Sequence, residues 1–209
     1  MKEICNFYGR EFMINPDVLI PRPETEQMID MVLSLMGKPY LPGVKPEEAV
    51  LPENLTILDV GTGSGCIGVT LKCELPCARV VCSDISIKAL VIAEENSIYH
   101  NADCKFLISD LLHDVRKLPD LVVANLPYVD ENWDWIDKEA LAREPSIALY
   151  APEGGLYYIK RLIRQCARRQ ISHLVLEADP CQHAEIIDFA SKKGFTYCET
   201  LGFILYLSV

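Results

Sequence analysis

The chain predicts a Rossmann-like, doubly wound α/β fold with a mostly parallel sheet, preceded by an N-terminal β-hairpin and helix and closed by a C-terminal antiparallel hairpin. Three observations predict it. Short apolar runs of strand length alternate with helix-period segments along most of the sequence. One such run leads straight into Gly61-Thr62-Gly63-Ser64-Gly65 and then into a helical pattern, the order in which bare backbone approaches a ligand and a helix N-terminus faces it. Near the end, two apolar runs flank Gly202, as in a closing hairpin.

The elements follow in order. Apolar pieces at 4–8, 12–14 and 18–20 are broken by Gly9-Arg10-Glu11 and Asn15-Pro16-Asp17, which predicts a β-hairpin leading into the domain. Pro21 and Pro23 fix an extended lead-in, and Pro23 with Glu24 and Glu26 suits the first turn of a helix, whose dipole favours acids there. Met28, Ile29, Val32, Leu35 and Met36 recur at helical spacing, and Gly37 is a plausible stop. Residues 38–54 are rich in Pro and acids without a period, a surface connection rather than a domain boundary, because too little chain precedes it to fold alone. The whole of 1–209 is therefore read as one domain: hairpin and lead-in helix at 1–37, connection at 38–54, Rossmann-like core at 55–209.

In that core, 55–60 is a strand that delivers the glycine loop to a helix carrying Ile67, Val69 and Leu71. The next strand, 79–82, ends in Asp84. An acid at the tip of the second strand, about twenty residues past the glycines, is placed to accept both ribose hydroxyls of a nucleoside. Ser86 can cap the helix of Ala89, Leu90, Ile92 and Ala93. A third strand, 104–108, closes on Ser109-Asp110. The fourth, 121–124, is wholly apolar and delivers Asn125-Leu126-Pro127-Tyr128 at its carboxyl end, where open α/β sheets bind ligands. A rigid Asn followed by a stiff Pro and an aromatic ring can clamp a planar amide or amino group; alternatively the strand simply ends in a Pro turn over a core Tyr.

Beyond Tyr128 the chain is irregular and acid-rich around Trp133 and Trp135, which either cover the site or pack onto the domain. A helix over 155–169 carries a basic face of Lys160, Arg161, Arg164, Arg168 and Arg169, read as a solvated side in preference to an RNA contact. A strand at 173–177, a helix at 184–190 and strands at 195–200 and 203–207 complete the order.

Composition bounds the function. Half of the 209 residues are hydrophobic and 24% are charged, which excludes disorder. The net charge of −10 argues against broad nucleic-acid binding, which runs on Lys and Arg, and favours a basic partner. There is no apolar run of membrane-spanning length and no signal-peptide pattern at the start, so neither a membrane nor secretion is expected and a cytoplasmic location is. Nine cysteines, an odd number, fit a reducing compartment and read as small core hydrophobes. Cys73, Cys77 and Cys82 lack zinc-ligand spacing, and no metal is expected.

Two nucleoside cofactors compete for the glycine loop. Gly63-Ser64-Gly65-Cys66-Ile67-Gly68 formally fits the dinucleotide pattern. Asp59-x-Gly61-x-Gly63-x-Gly65 resembles instead the S-adenosylmethionine loop of class I methyltransferases. The fourth strand separates them, because Asn-x-Pro-Tyr has no place in hydride transfer. Taken together, FMINPDVLIPRPETE, ILDVGTGSGCIGVTL, ANLPYV and REPSIAL resemble the HemK/PrmC family of protein-(glutamine-N5) methyltransferases, over about residues 9–182, with LIPRPETE the most discriminating stretch.

The resemblance implies a class I S-adenosylmethionine-dependent methyltransferase that methylates the glutamine of the Gly-Gly-Gln tripeptide in class I peptide chain release factors. It implies the cofactor against Gly61, Thr62, Gly63, Ser64 and Gly65, its methionyl end near Asp59, its ribose on Asp84 and its adenine beside Asp110 and Leu111. Asn125 would touch cofactor and substrate, and Leu126, Pro127 and Tyr128 would complete the substrate clamp. Leu126 departs from the family's usual Pro and Leu111 from an aromatic in several relatives; Glu144-Pro145 matches a motif with no assigned role, and the family's closing-strand Asp and Arg are not found. Family members usually carry an N-terminal helical domain that helps dock the release factor. The sequence is then a short form or a piece, or docking uses another surface or a helper protein. The clamp motif also resembles that of rRNA adenine N6-dimethyltransferases, so N6-adenine methylation of rRNA or DNA stays open, as does a catalytically weak S-adenosylmethionine-binding protein.

Overall fold

The computed structural model describes residues 3–37, 51–52, 54–136, 139 and 143–209. β1 (Glu3–Phe7) and β2 (Arg10–Ile14) pair antiparallel as a separate two-stranded sheet. A 3-10 turn, Pro23–Thr25, leads into α1 (Glu26–Leu35). Then come β3 (Thr56–Val60), α2 (Cys66–Glu74), β4 (Arg79–Asp84), α3 (Ile87–Tyr99), β5 (Lys105–Ile108) and β6 (Leu121–Ala124). α4 (Tyr157–Arg168), β7 (His173–Glu177), α5 (His183–Ser191), β8 (Tyr197–Leu201) and β9 (Ile204–Ser208) finish the chain.

The seven-stranded sheet has the order β5-β4-β3-β6-β7-β9-β8, parallel from β5 to β7 and antiparallel at β9 and β8. Side chains alternate across it. Ile57, Val80, Val123 and Val175 pack with α1, α2 and Phe7 and Phe12 of the hairpin. Leu58, Val122, Leu174 and Leu176 pack with α4 and α5 on the other face. Because both faces are covered, β6 reads as an unbroken apolar run, as a central parallel strand must. The strand order reverses between β3 and β6, whose carboxyl ends carry the glycine loop and Asn125.

Several expectations are corrected. The hairpin uses only the first two apolar pieces; the one at 18–20 forms no strand, although Val18 is buried. The closing strands begin at Tyr197 and Ile204, one or two residues later than their apolar runs. Cys66, Cys82, Cys104 and Cys166 are buried as expected, but Cys77 and Cys181 are exposed. The basic face of α4 is partly engaged within the chain: Lys160 pairs with Glu185 at 2.7 Å, Arg161 with Asp110 at 2.8 Å, and Arg164 lies over the Phe189 ring at 4.9 Å. Of the surface connection at 38–54, residues 38–50 and 53 lie outside the described residues.

Candidate active site

The glycine loop is shaped by its neighbours. The N–H groups of Gly61 and Thr62 both donate to the Ser83 carbonyl, at 2.8 and 2.9 Å, which holds the loop against the end of β4. Gly65 then takes a left-handed φ of +81° to begin α2, and a Cβ there would stand 3.0 Å from Cβ of Ala93 on α3, so only glycine permits both the turn and the close approach. Asn96 of α3, wholly buried, accepts from Met13 N at 2.8 Å and donates to the Met13 and Ser64 carbonyls at 2.9 and 2.8 Å. One side chain thereby ties the N-terminal hairpin to the loop.

A cavity opens over the carboxyl ends of β3, β4 and β6. Gly61, Thr62, Gly63 and Ser64 form one wall, Asp84, Ile85 and Ser86 a second, Asp110 and Leu111 a third. Leu19, Pro21, Arg22 and Thr25 of the lead-in segment roof it, and Asn125, Leu126 and Pro127 close its inner end. Asp84 is 9% exposed; Oδ2 accepts from Gly63 N at 3.0 Å and Oδ1 from Ser86 N at 2.8 Å. Burial raises its pKa, while those N–H groups oppose the rise. A carboxylate has acceptor sites beyond these bonds for a further donor. Leu111 adopts a left-handed φ of +51°, and its carbonyl accepts from Ser109 Oγ at 2.8 Å. Asp110 is held by Arg161.

Asp59 supports the loop from inside. It does not reach the cavity wall but sits wholly buried beneath the loop, where Oδ2 accepts from Thr62 Oγ1 at 2.6 Å and Gly68 N at 2.9 Å. Burial pushes its pKa up to about 7, and its Oδ1 has no partner among the described residues.

Asn125 and Leu126 also border a second cleft on the far side of the motif, with Arg22, Tyr128, Trp133, Trp135 and Glu177. Trp133 and Trp135 stack at 5.0 Å, and Trp135 is largely exposed, so the pair walls this cleft. Asn125 Nδ2 donates to Thr25 Oγ1 at 3.1 Å. No hydrogen bond to Asn125 Oδ1 or to the Leu126 carbonyl is made by the other described residues. Tyr128 faces the second cleft alone, its hydroxyl donating to Glu177 Oε1 at 3.1 Å, and burial beside that carboxylate drives its pKa well up. The Tyr128 carbonyl accepts from Gln182 Nε2 at 2.8 Å. Glu144, whose role the sequence does not assign, is nearly buried; it accepts from Ile20 N at 3.0 Å and pairs with Arg22, fastening the lead-in segment to the loop after β6.

Sequence reasoning finds the loop, Asp84 and the 125–128 motif, but misses Thr25, Asn96, Glu177 and Gln182. For Glu177 the available signal is the one that marks Asp84, an acid at the tail of an apolar strand. Thr25 falls within the discriminating LIPRPETE stretch, which assigns it no role, and Asn96 and Gln182 are marked by nothing local.

A parallel sheet reversing its order beside a glycine loop, a buried acid at the next strand tip and a cavity between them define a doubly wound, nucleoside-binding fold, and the matches that follow make it a class I methyltransferase fold. Residues 48–147 match the family model described as methyltransferase small domain. The 16S rRNA N2 G1207 methyltransferase of T. thermophilus, solved with AdoMet and guanosine, shares the fold with a TM-score of 0.66 at 15% identity, over 99% of this chain and 49% of that one. A release factor glutamine methyltransferase of Neisseria gonorrhoeae is 36% identical over 203 residues, covering 95% of this chain and 69% of the relative. That of Koribacter versatilis is 42% identical over 162 residues, covering 76% and 53%. The chain belongs to the release factor glutamine methyltransferase family. It spans about half to two thirds of the length of such relatives.

Proposed function

We propose that this chain transfers a methyl group from S-adenosylmethionine to the side-chain nitrogen of a glutamine, that of the Gly-Gly-Gln tripeptide of a class I release factor. The observation that carries the reading is the placement of Asn125 and Leu126 between two openings, the loop-lined cavity on one side and the Trp-walled cleft on the other. The residues present fit the cofactor: a buried carboxylate for a ribose, exposed loop backbone, and a wall at Asp110 and Leu111 for a flat base. Bound there, S-adenosylmethionine supplies an electrophilic methyl on a sulfonium sulfur.

The chain's own part is positioning. An amide nitrogen is a poor nucleophile because its lone pair is delocalised, so acceptors must hold the NH2 with that lone pair turned to the methyl. Asn125 Oδ1 and the Leu126 carbonyl are two such acceptors, and Leu supplies a backbone carbonyl as well as Pro does. The planar amide packs against the Tyr128 ring. The proton leaves after transfer, so no base need take it beforehand; the acceleration comes from in-line orientation and a preorganised site. The net charge of −10 suits a basic protein partner met in the cytoplasm. Among the described residues no helix is long and apolar enough to cross a membrane, and no group of three or more His, Cys, Asp or Glu could hold a metal.

A labelled-methyl assay offers the wild type and Asn125→Ala a release factor and, separately, rRNA. Label on the release factor from the wild type alone, with cofactor affinity kept in the variant, is expected. Full activity of Asn125→Ala, or label on rRNA only, refutes the reading.

A further inference from the structure

α4 turns one face toward the cavity wall at Asp110 and Leu111. Three residues of that face, spaced by three and then four positions, meet the wall. Tyr158 lines the cavity itself. Arg161 Nη2 donates to Asp110 Oδ2 at 2.8 Å, and Gln165 Oε1 accepts from Leu112 N at 2.8 Å. Between these two pins stands Leu111, whose left-handed φ of +51° is costly for a side chain of its size. Ser109 Oγ donates to the Leu111 carbonyl at 2.8 Å and accepts from Asp114 N at 3.1 Å. A strained residue persists where its surroundings over-determine it, and such residues cluster at ligand clamps.

Arg161 is itself braced, its guanidinium lying 5.7 Å from the centre of the Tyr157 ring. Asp110 borders the cavity on one side and an outer groove on the other. Its side chain is 45% exposed and that of Arg161 28%, so water still reaches both and the pair is ionised. No hydrogen bond reaches Asp110 Oδ1 from the other described residues. An ionised carboxylate only accepts. Unpaired at this half-exposed edge, it would turn toward water; the arginine fork removes that freedom.

We propose that Arg161 is a positioning residue that makes the cofactor site selective for a 6-amino purine: by holding Asp110 at Oδ2 it fixes Oδ1 as the acceptor for the exocyclic amine of the base. A 6-oxo purine would set a carbonyl oxygen against the carboxylate and be repelled. This rests on the cavity being the S-adenosylmethionine site. Arg161 does not line the cavity and acts through Asp110.

Calorimetric titration of the whole chain with S-adenosylhomocysteine and with S-inosylhomocysteine, its 6-oxo counterpart, reads the selectivity as a ratio of two Kd values. The wild type is expected to favour the adenosyl form about tenfold or more, the worth of one hydrogen bond to a charged group. Arg161→Met keeps an apolar stem without the guanidinium and should bring the ratio below about threefold, while Arg161→Lys, which restores a cation, should recover part of it. In an Asp110→Asn background, Arg161→Met should leave the ratio untouched, because the route through Asp110 is gone. An arginine that merely braced the fold would weaken both ligands alike and keep the ratio. That result overturns the proposal, as does a wild type that binds both forms equally. A wild type that binds neither form refutes the cofactor reading and the proposal with it. Selective binding by a protein that leaves the release factor unlabelled upholds the proposal and refutes the substrate instead. If Arg161→Met fails to fold, Arg161→Gln is read by the same ratio.

Discussion

Removing the Glu144 carboxylate should loosen the roof of the cofactor cavity without disturbing its floor. Glu144 accepts from Ile20 N and pairs with Arg22, and its side chain is 4% exposed against 33% for Arg22. Bonds to a buried charge contribute roughly 1.5–3 kcal/mol each, but Arg22 and the Ile20 N–H regain water once the carboxylate is gone, so Glu144→Ala should cost about 2–3 kcal/mol. The loss is local to the contact between the lead-in segment and the loop after β6. Leu19, Pro21 and Arg22 roof the cavity, so if that segment opens in the free protein, cofactor affinity falls by the closed fraction, to a limit of about 100-fold at 1.4 kcal/mol per decade. Glu144→Gln, which still accepts from Ile20 N but loses the ion pair, should fall between. Calorimetric titration with S-adenosylmethionine measures this. An unchanged Kd in Glu144→Ala, with only the melting temperature lowered, would refute the reasoning and leave Glu144 a simple structural brace.

Two further outcomes follow from the packing. Gly155 has φ +83°, and a Cβ there would lie 1.8 Å from the Tyr128 carbonyl oxygen and 2.5 Å from Gln182 Nε2; Gly155→Ala should therefore destabilise by about 3 kcal/mol from left-handed strain and lost hydrogen bonds, read as a lower urea midpoint, and should depress methyl transfer by displacing Tyr128. Asp59 has a folded pKa raised to about 7 from 3.8, so the folded state binds the extra proton between those values. Its contribution is fully present below the lower value and is lost as pH rises through the upper one. The cofactor-free protein should be less stable at pH 8 than at pH 5 by on the order of 2 kcal/mol from this group, and Asp59→Asn should flatten that difference in paired urea titrations; an unchanged slope would show that Asp59 titrates normally.

What the sequence determines by itself is whatever is written in consecutive residues. The apolar run before Asn125 requires a buried strand, Gly61 to Gly65 require a turn into a helix, and Ser86 caps α3 by accepting from Ala89 N at 3.3 Å. Chain-local physics suffices for these, because propensity, period and caps act over a few positions. Even so, local reading overextends at the closing strands, which begin at Tyr197 and Ile204, later than their apolar runs, and nothing local announces that Asp59 is buried below the loop.

Only the tertiary structure decides the company these residues keep. Asn125 meets Thr25 across 100 positions, Glu144 meets Ile20 across 124, and Asn96 joins Met13 across 83. Such pairings leave no period or spacing in the chain, since they exist only when the sheet brings distant strand ends to one edge. The motif at 125–128 is legible as a clamp; that its Tyr128 hydroxyl meets the carboxylate of Glu177 at 3.1 Å is decided by burial, where a carboxyl group removed from water must find a partner within the fold.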